Sequence, residues 1–234
     1  MSAACPGGAD GEGVEAVKLR ITIDGPAGAG KSTVARELAQ MLGYRYLDTG
    51  AMYRALALAA LRSGVDPGDG PGLASLLASV ELSSANGRLR LDGEDVADDI
   101  RQPAVDRIVA VVAQHAAVRS ALVARQRALA AQGGVVVDGR DAGSVVLPEA
   151  ECKFFLTASL TARAGRRHRE LLAQGVRVDV ADVEREMAMR DAQDEMRAVG
   201  ALKVPEGAIV VDTTGLGVAE VVERLLRHCR ERGA

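Results

Sequence analysis

The 234 residues carry a formal net charge of -3, with 48% hydrophobic and 26% charged side chains, 2% aromatic ones and no tryptophan. That balance excludes a disordered chain, and it argues against a nucleic-acid polymer as partner, because such polymers are met by basic surfaces and aromatic stacking platforms. Cys5, Cys152 and Cys229 are too scattered for a disulfide framework or a zinc ribbon, and no stretch approaches the ~18 uninterrupted apolar residues of a membrane span, so a cytoplasmic protein with no membrane partner is expected.

Residues 1–16 are rich in Ala and Gly and carry Asp10, Glu12 and Glu15, which reads as a flexible tail and not as a signal peptide. A β-rich run from Val17 to Asp24 then enters a glycine cluster, and Ser32 to Leu42 follows with helical spacing, Val34 and Leu38 sharing a face. A second strand and helix are expected at Tyr44–Leu47 and Ala51–Leu61. The run Ser63 to Gly72 (SGVDPGDGPG) reads as a linker. Beyond it, Val80–Leu82 and Arg88–Leu91 flank Asn86-Gly87, a dipeptide suited to a tight hairpin turn, and helices are expected from about Pro103 to Ala113 and Val118 to Ala131. Three short apolar runs, Val135–Val137, Lys153–Leu156 and Ala208–Val211, suit strands buried on both faces of a parallel sheet. The organisation expected is a tail (1–16) and one domain (17–234), with core segments 17–62 and 132–234 and an insert at 63–131. Strands alternating with helices around a glycine loop predict an α/β, doubly wound fold whose ligands bind beyond the carboxyl ends of the strands.

The segment Gly25-Pro26-Ala27-Gly28-Ala29-Gly30-Lys31-Ser32 fits the phosphate-loop pattern G-x-x-x-x-G-K-[ST], and it stands between a strand and a helix, where the pattern has physical meaning. Its glycines let backbone N–H groups turn inward on phosphate oxygens, the helix end adds partial positive charge, Lys31 reaches the β and γ phosphates, and Ser32 can ligate Mg2+. A dinucleotide fingerprint is excluded because Lys31-Ser32 follow the last glycine. No N-K-x-D guanine-reading motif is present, and Asp138 is followed by Gly139 and Arg140 where a hydrolytic motor needs an acidic water-positioning residue. The reading that remains is a kinase drawing on ATP, with a kinase for some other small acceptor and a non-catalytic nucleotide sensor as its rivals.

Arg54, Arg119, Arg140, Arg163, Arg166, Arg167, Arg190 and Arg197 fall at loop ends or on helix faces near the expected site. Guanidinium groups grip phosphate oxygens in bidentate fashion, and a unit charge pair at 4 Å in an effective dielectric near 20 contributes about 4 kcal/mol before desolvation. A set of them can offset the repulsion between two anionic substrates. Arg163, Arg166 and Arg167 share a helical face at i, i+3 and i+4, although a solvated basic face paired with Glu170 has the same spacing.

Six ordered stretches resemble the bacterial cytidylate kinases among the nucleoside monophosphate kinases: IDGPAGAGKST (Ile23–Thr33), LDTGAMYR (Leu47–Arg54), LDGEDVADDIR (Leu91–Arg101), DGRDAGSVVLPEA (Asp138–Ala150), KFFLTAS (Lys153–Ser159) and RDAQDEMRAV (Arg190–Val199). The resemblance implies a five-stranded parallel core, a monophosphate-binding insert, a helical lid at about 159–197, and transfer from ATP to CMP and dCMP by a monomer using Mg2+. It implies that the loop through Thr33, with Arg163 and Arg167, holds ATP, and that Ser32 and Asp138 face the metal ion. It also implies that Thr49, Tyr53, Arg54, Arg119, Arg140, Asp141, Arg190, Asp194 and Arg197 bind the acceptor, Lys31, Arg140, Arg190 and Arg197 being catalytic. Cytosine offers a 4-amino donor and acceptors at N3 and O2, which an Asp acceptor and an Arg donor match and which uracil does not. Two departures from the family pattern are Ala110, in place of a serine, and Gly200-Ala201-Leu202, where a proline commonly precedes the leucine.

Overall fold

The computed structural model describes residues 18–85, 88–173, 175–197 and 199–234. The expected tail, Val17 of the first expected strand, and the Asn86-Gly87 turn lie outside the described residues. The chain opens with β1 (Arg20–Asp24), α1 (Lys31–Leu42), β2 (Arg45–Asp48) and α2 (Thr49–Ser63). Next come α3 (Gly70–Ser79), the antiparallel β3 (Leu82–Ala85), β4 (Arg88–Leu91) and β5 (Glu94–Asp95), then α4 (Pro103–Val112) and α5 (Ala116–Ala130). The last third holds β6 (Val135–Asp138), β7 (Cys152–Thr157), α6 (Leu160–Ala173), α7 (Val180–Glu195), β8 (Ile209–Asp212) and α8 (Val218–Glu231).

Strands β2, β6, β1, β7 and β8 form one parallel sheet in that order. Alternate side chains of a strand point to opposite faces, and β6 shows the consequence. Val135 and Val137 enter a core with Leu56 of α2 and Leu122 of α5, whereas Val136 joins Leu38 of α1 and Leu225 of α8 on the other side. Helices thus cover both faces, as expected for a doubly wound sheet. Because β6 lies beside β1, the loops that leave their carboxyl ends start together, and the Gly139 N–H donates to the Ile23 carbonyl at 3.1 Å. No single helix among the described residues is long and apolar enough to cross a membrane.

Three expectations need correction, the first being Lys153–Leu156: strand β7 is fully buried on one face only, with Lys153 and Phe155 half-buried on the other. The run Ser63 to Gly72 is not wholly linker, since α3 begins at Gly70: the Asp69 side chain accepts from the Gly72 N–H, and Pro71 stands in the first turn, where its missing N–H costs nothing. The run Ala208–Val211 does not yield a strand buried on both faces. Strand β8 is the sheet edge, leaving Ile209 and Val210 exposed.

Candidate active site

The sequence from Gly25 to Ser32 turns from β1 into α1 and wraps Lys31, whose Nζ donates to the Pro26 carbonyl at 2.8 Å. A third small core, built from Ala164 of α6 with Val183 and Met187 of α7, takes in Ala27 of the loop. A Cβ on Gly28 would stand 2.8 Å from the Met187 terminal methyl and 3.0 Å from the Arg163 Cβ, so this position requires glycine for the close approach of α6 and α7. The Arg163 guanidinium donates to the carbonyls of Ala27 (3.1 Å) and Ala158 (3.0 Å) and pairs with Asp191 at 2.6 Å.

On the other side of the loop, Asp138 ends β6. The Ser32 hydroxyl donates to its Oδ2 at 2.6 Å, the Tyr46 hydroxyl to its Oδ1 at 3.3 Å, and the Thr49 hydroxyl to its backbone carbonyl at 2.7 Å. Burial, reinforced by the negative charge of Asp48, pushes the Asp138 carboxyl up to about 7. Burial and then the positive charge of Arg140 draw the Lys31 ammonium down to about 7. Ser32 and Asp138 are hard oxygen donors, and no cluster of three His, Cys, Asp or Glu side chains suited to a metal occurs among the described residues. That set fits Mg2+, which is bound through one or two carboxylates together with substrate phosphates and not by an all-protein cage.

Past Asp138 the chain presents Arg140 and Asp141. Arg140 Nε donates to Asp194 of α7 at 2.8 Å, and Arg197 bonds the other oxygen of the same carboxylate, so Asp194, 2% exposed, fixes two guanidinium groups at once. Asp141 pairs with Arg119 of α5, both buried, and the Arg119 guanidinium lies 5.6 Å from the centre of the Tyr53 ring. Burial outweighs the pull of Arg119 and Arg197 and raises the Asp141 pKa. Tyr53 is raised to about 12, again by burial first. Arg54 of α2 joins the Ile100 carbonyl at 3.0 Å and Asp106 of α4 at 2.6 Å. Arg190 keeps much of its surface open but stands between walls of protein, and burial, then Arg140, lowers its pKa.

The expected residues therefore converge, with one exception. Arg167 sits on the solvent side of α6, paired with Glu170 at 3.3 Å, and its neighbour Arg166 reaches the loop, donating to the Gly28 carbonyl at 3.4 Å and to Thr213. Helical spacing put three arginines on one face without saying which one turns inward. Tyr46 and Asp24 were missed. Tyr46 is separated from Asp138 by 92 residues, and nothing local marks the contact.

Asp24, fully buried at the end of β1, accepts from the Ala142 N–H at 2.8 Å and the Gly143 N–H at 2.7 Å. Burial raises its pKa to about 6, the two N–H donors opposing. A folded pKa above the unfolded value near 3.8 contributes stability that is full below pH ~4 and is lost as pH rises through 6, about 3 kcal/mol for two units. Urea unfolding at pH 4 and pH 7 should show wild type losing stability relative to Asp24→Asn over that interval; a constant difference between the two proteins would remove the assignment.

The cytidylate kinase family model matches residues 21–231. A cytidylate kinase of Symbiobacterium thermophilum is 54% identical over 219 residues, covering 91% of this chain and 96% of that protein. One from Geobacillus kaustophilus is 52% identical, covering 92% and 98%. A solved structure of an uncharacterised protein from Eubacterium ventriosum shares the fold at 13% identity with a TM-score of 0.50, covering 92% of this chain and 99% of that one. With a family match over residues 21–231 and relatives above half identity, joined to a phosphate loop flanked by the guanidinium groups of Arg163 and Arg140, the chain belongs to the cytidylate kinase family.

Proposed function

We propose that the chain transfers the γ-phosphoryl group of ATP to the α-phosphate of CMP and dCMP. The observation that carries this reading is the juxtaposition of the phosphate loop with Asp138-Gly139-Arg140-Asp141, two segments that leave adjacent strands with their charged groups in mutual electrostatic reach. Lys31 and the loop amides hold the triphosphate, assisted by Arg163. Ser32 and Asp138 would hold Mg2+, which would supply positive charge to offset that of the bound phosphates. Arg140, Arg190 and Arg197 neutralise charge between the two nucleotides as the phosphoryl group passes in line. The acceptor oxygen is already ionised, so no general base is needed, and catalysis rests on position and electrostatics.

Residues 63–131 serve as the monophosphate-binding insert and about 159–197 as a lid that excludes water. Thr49, Tyr53 and Arg54 line the acceptor's side of the cleft. Arg119 and Asp141 read the base, Asp141 accepting from the 4-amino group of cytosine and Arg119 donating to its ring acceptors. The Arg119 Nε is a buried donor with no partner among the described residues, which supports a ligand role for that side chain. The reading also holds the protein to be a cytoplasmic monomer whose partners are free nucleotides.

Coupled ADP release with CMP, dCMP, UMP, AMP and shikimate tests the reading. CMP and dCMP should give the highest kcat/KM; fastest turnover with UMP or AMP would overturn the cytidine assignment, and ATP binding without ADP release would show a sensor. Arg54→Ala should raise the KM for CMP roughly tenfold or lower kcat while ATP affinity stays within about twofold, since a guanidinium that bridges α2 and α4 acts on the acceptor side alone.

A further inference from the structure

Asp24 is the last residue of β1 and immediately precedes the phosphate loop, yet its carboxylate is turned away from the strand's own ladder. Both oxygens are spent on consecutive backbone N–H groups, those of Ala142 and Gly143, the two residues that follow Asp141. These donors open a short, wide helical turn, Ala142–Val146, in which the Asp141 carbonyl accepts from the N–H groups of Val145 (2.8 Å) and Val146 (3.2 Å). A carboxylate at the start of such a turn satisfies donors that the turn itself leaves unpaired.

The turn is closely packed where it sits. A Cβ added at Gly143 would lie 2.7 Å from the Thr22 hydroxyl, 3.1 Å from Pro205 and 3.2 Å from the Asp24 carboxylate. Thr22 and Asp24 are both fully buried and Pro205 is buried. On the far side, Gly200 presses its backbone against the Arg119 guanidinium and the Asp141 carboxylate, close enough that a Cβ there would collide with both. Leu202, two residues on, donates its N–H to the Asp194 carbonyl at 2.8 Å, tying this segment to α7. The Arg119–Asp141 pair is therefore set between two fixed surfaces, and the fixed point beneath it is a side chain that belongs to the donor strand. Asp24 is also within electrostatic reach of both Lys31 and Asp141.

We infer that Asp24 is a positioning residue for the acceptor's base: by holding the turn that carries Asp141, it sets the discrimination between cytosine and uracil from the donor side of the cleft. The inference rests on the proposed role of Arg119 and Asp141 in reading the base. An amide in place of the carboxylate keeps one acceptor and turns a donor toward the second N–H, so one of the two bonds is lost and the turn is pushed off its seat.

The test is steady-state kinetics on the full chain at pH 8 for wild type, Asp24→Asn, Gly143→Ala and Asp141→Ala, with CMP, UMP and ATP each varied. Asp24→Asn should raise the KM for CMP roughly tenfold and shrink the ratio of CMP to UMP kcat/KM by a similar factor, with the KM for ATP within about twofold, because a displacement of ~1 Å is enough to cost such factors. Gly143→Ala moves the same turn while leaving every charge in place and should reproduce the pattern, which guards against an Asp24 variant that fails to fold. A lowered melting temperature with both KM values and the ratio unchanged would mark Asp24 as a structural residue only and overturn the inference. If Asp141→Ala collapses the ratio while neither Asp24→Asn nor Gly143→Ala moves it, the inference falls and the reading of the base stands. If Asp141→Ala itself leaves the ratio intact, the reading of the base fails, and the inference with it.

Discussion

Lys31→Ala should lower kcat/KM by roughly 10²- to 10³-fold, about 3 to 4 kcal/mol of transition-state stabilisation, the size of effect seen when one preorganised donor to a developing charge is removed. The Lys31 side chain is 6% exposed, and burial together with Arg140 has drawn its pKa down to about 7, so in the free protein near neutrality its positive charge is held at a disadvantage. A bound triphosphate reverses that balance. The anion favours the ammonium form, and the charge that costs most in the free protein is the one the transferring phosphoryl group meets in a site screened from water. The substitution removes the Lys31–Pro26 bond across the loop but leaves the first turn of α1 closed by backbone groups, Val34 N–H to Gly30 carbonyl at 3.1 Å. Coupled turnover and circular dichroism together check this. Near-normal turnover in a folded variant would deny Lys31 its role, whereas loss of the helical signal would place its importance in the fold.

The parts of this molecule that were legible in the sequence are those whose physics is local. A phosphate loop is one strand end, one turn and one helix start, and its residue types answer needs met within eight positions, so Gly25 to Ser32 could be read directly. The short apolar runs at Val135 and Lys153 marked β6 and β7, but only β6 is buried on both faces, as a strand covered by helices on both sides must be; in β7 every second residue is half-buried. The same rule failed for Ala208–Val211, since apolar composition cannot say which strand ends a sheet; order is decided by which neighbours arrive, and nothing pairs with the outer side of β8 among the described residues. The glycines and prolines after Ser63 hid α3, because Pro71 serves equally in a linker and in a first helical turn, and only the Asp69 cap tells the two apart. Asp24 had no signal of its own. Its partners lie 118 and 119 residues away and are backbone groups, which carry no side-chain identity to be read.

The other large effect concerns the buried pair Arg119 and Asp141, and it should be asymmetric. Asp141→Ala leaves a guanidinium that is 4% exposed without its counter-charge; arginine cannot shed its proton, and the loss should be about 3 kcal/mol of folding stability. Arg119→Met leaves a carboxylate whose pKa burial has already raised, and that group can escape the penalty by taking up a proton. Its folded pKa then lies further above the unfolded value, so the stability it contributes is present at acid pH and lost as pH rises through the folded value, and Arg119→Met should gain on wild type as pH is lowered from 8 to 5. The double variant, with neither charge left to desolvate, should cost less than the sum of the two single changes. For catalysis both single variants should lose roughly 10²-fold in kcat/KM for CMP with ATP affinity unchanged, as expected for a truncated partner in a buried hydrogen-bonded charge pair. Chemical unfolding across pH, set beside kinetics on the same four proteins, decides the matter: equal, pH-independent losses from the two single changes would mean that the pair is solvated and is not the buried contact on which base reading depends.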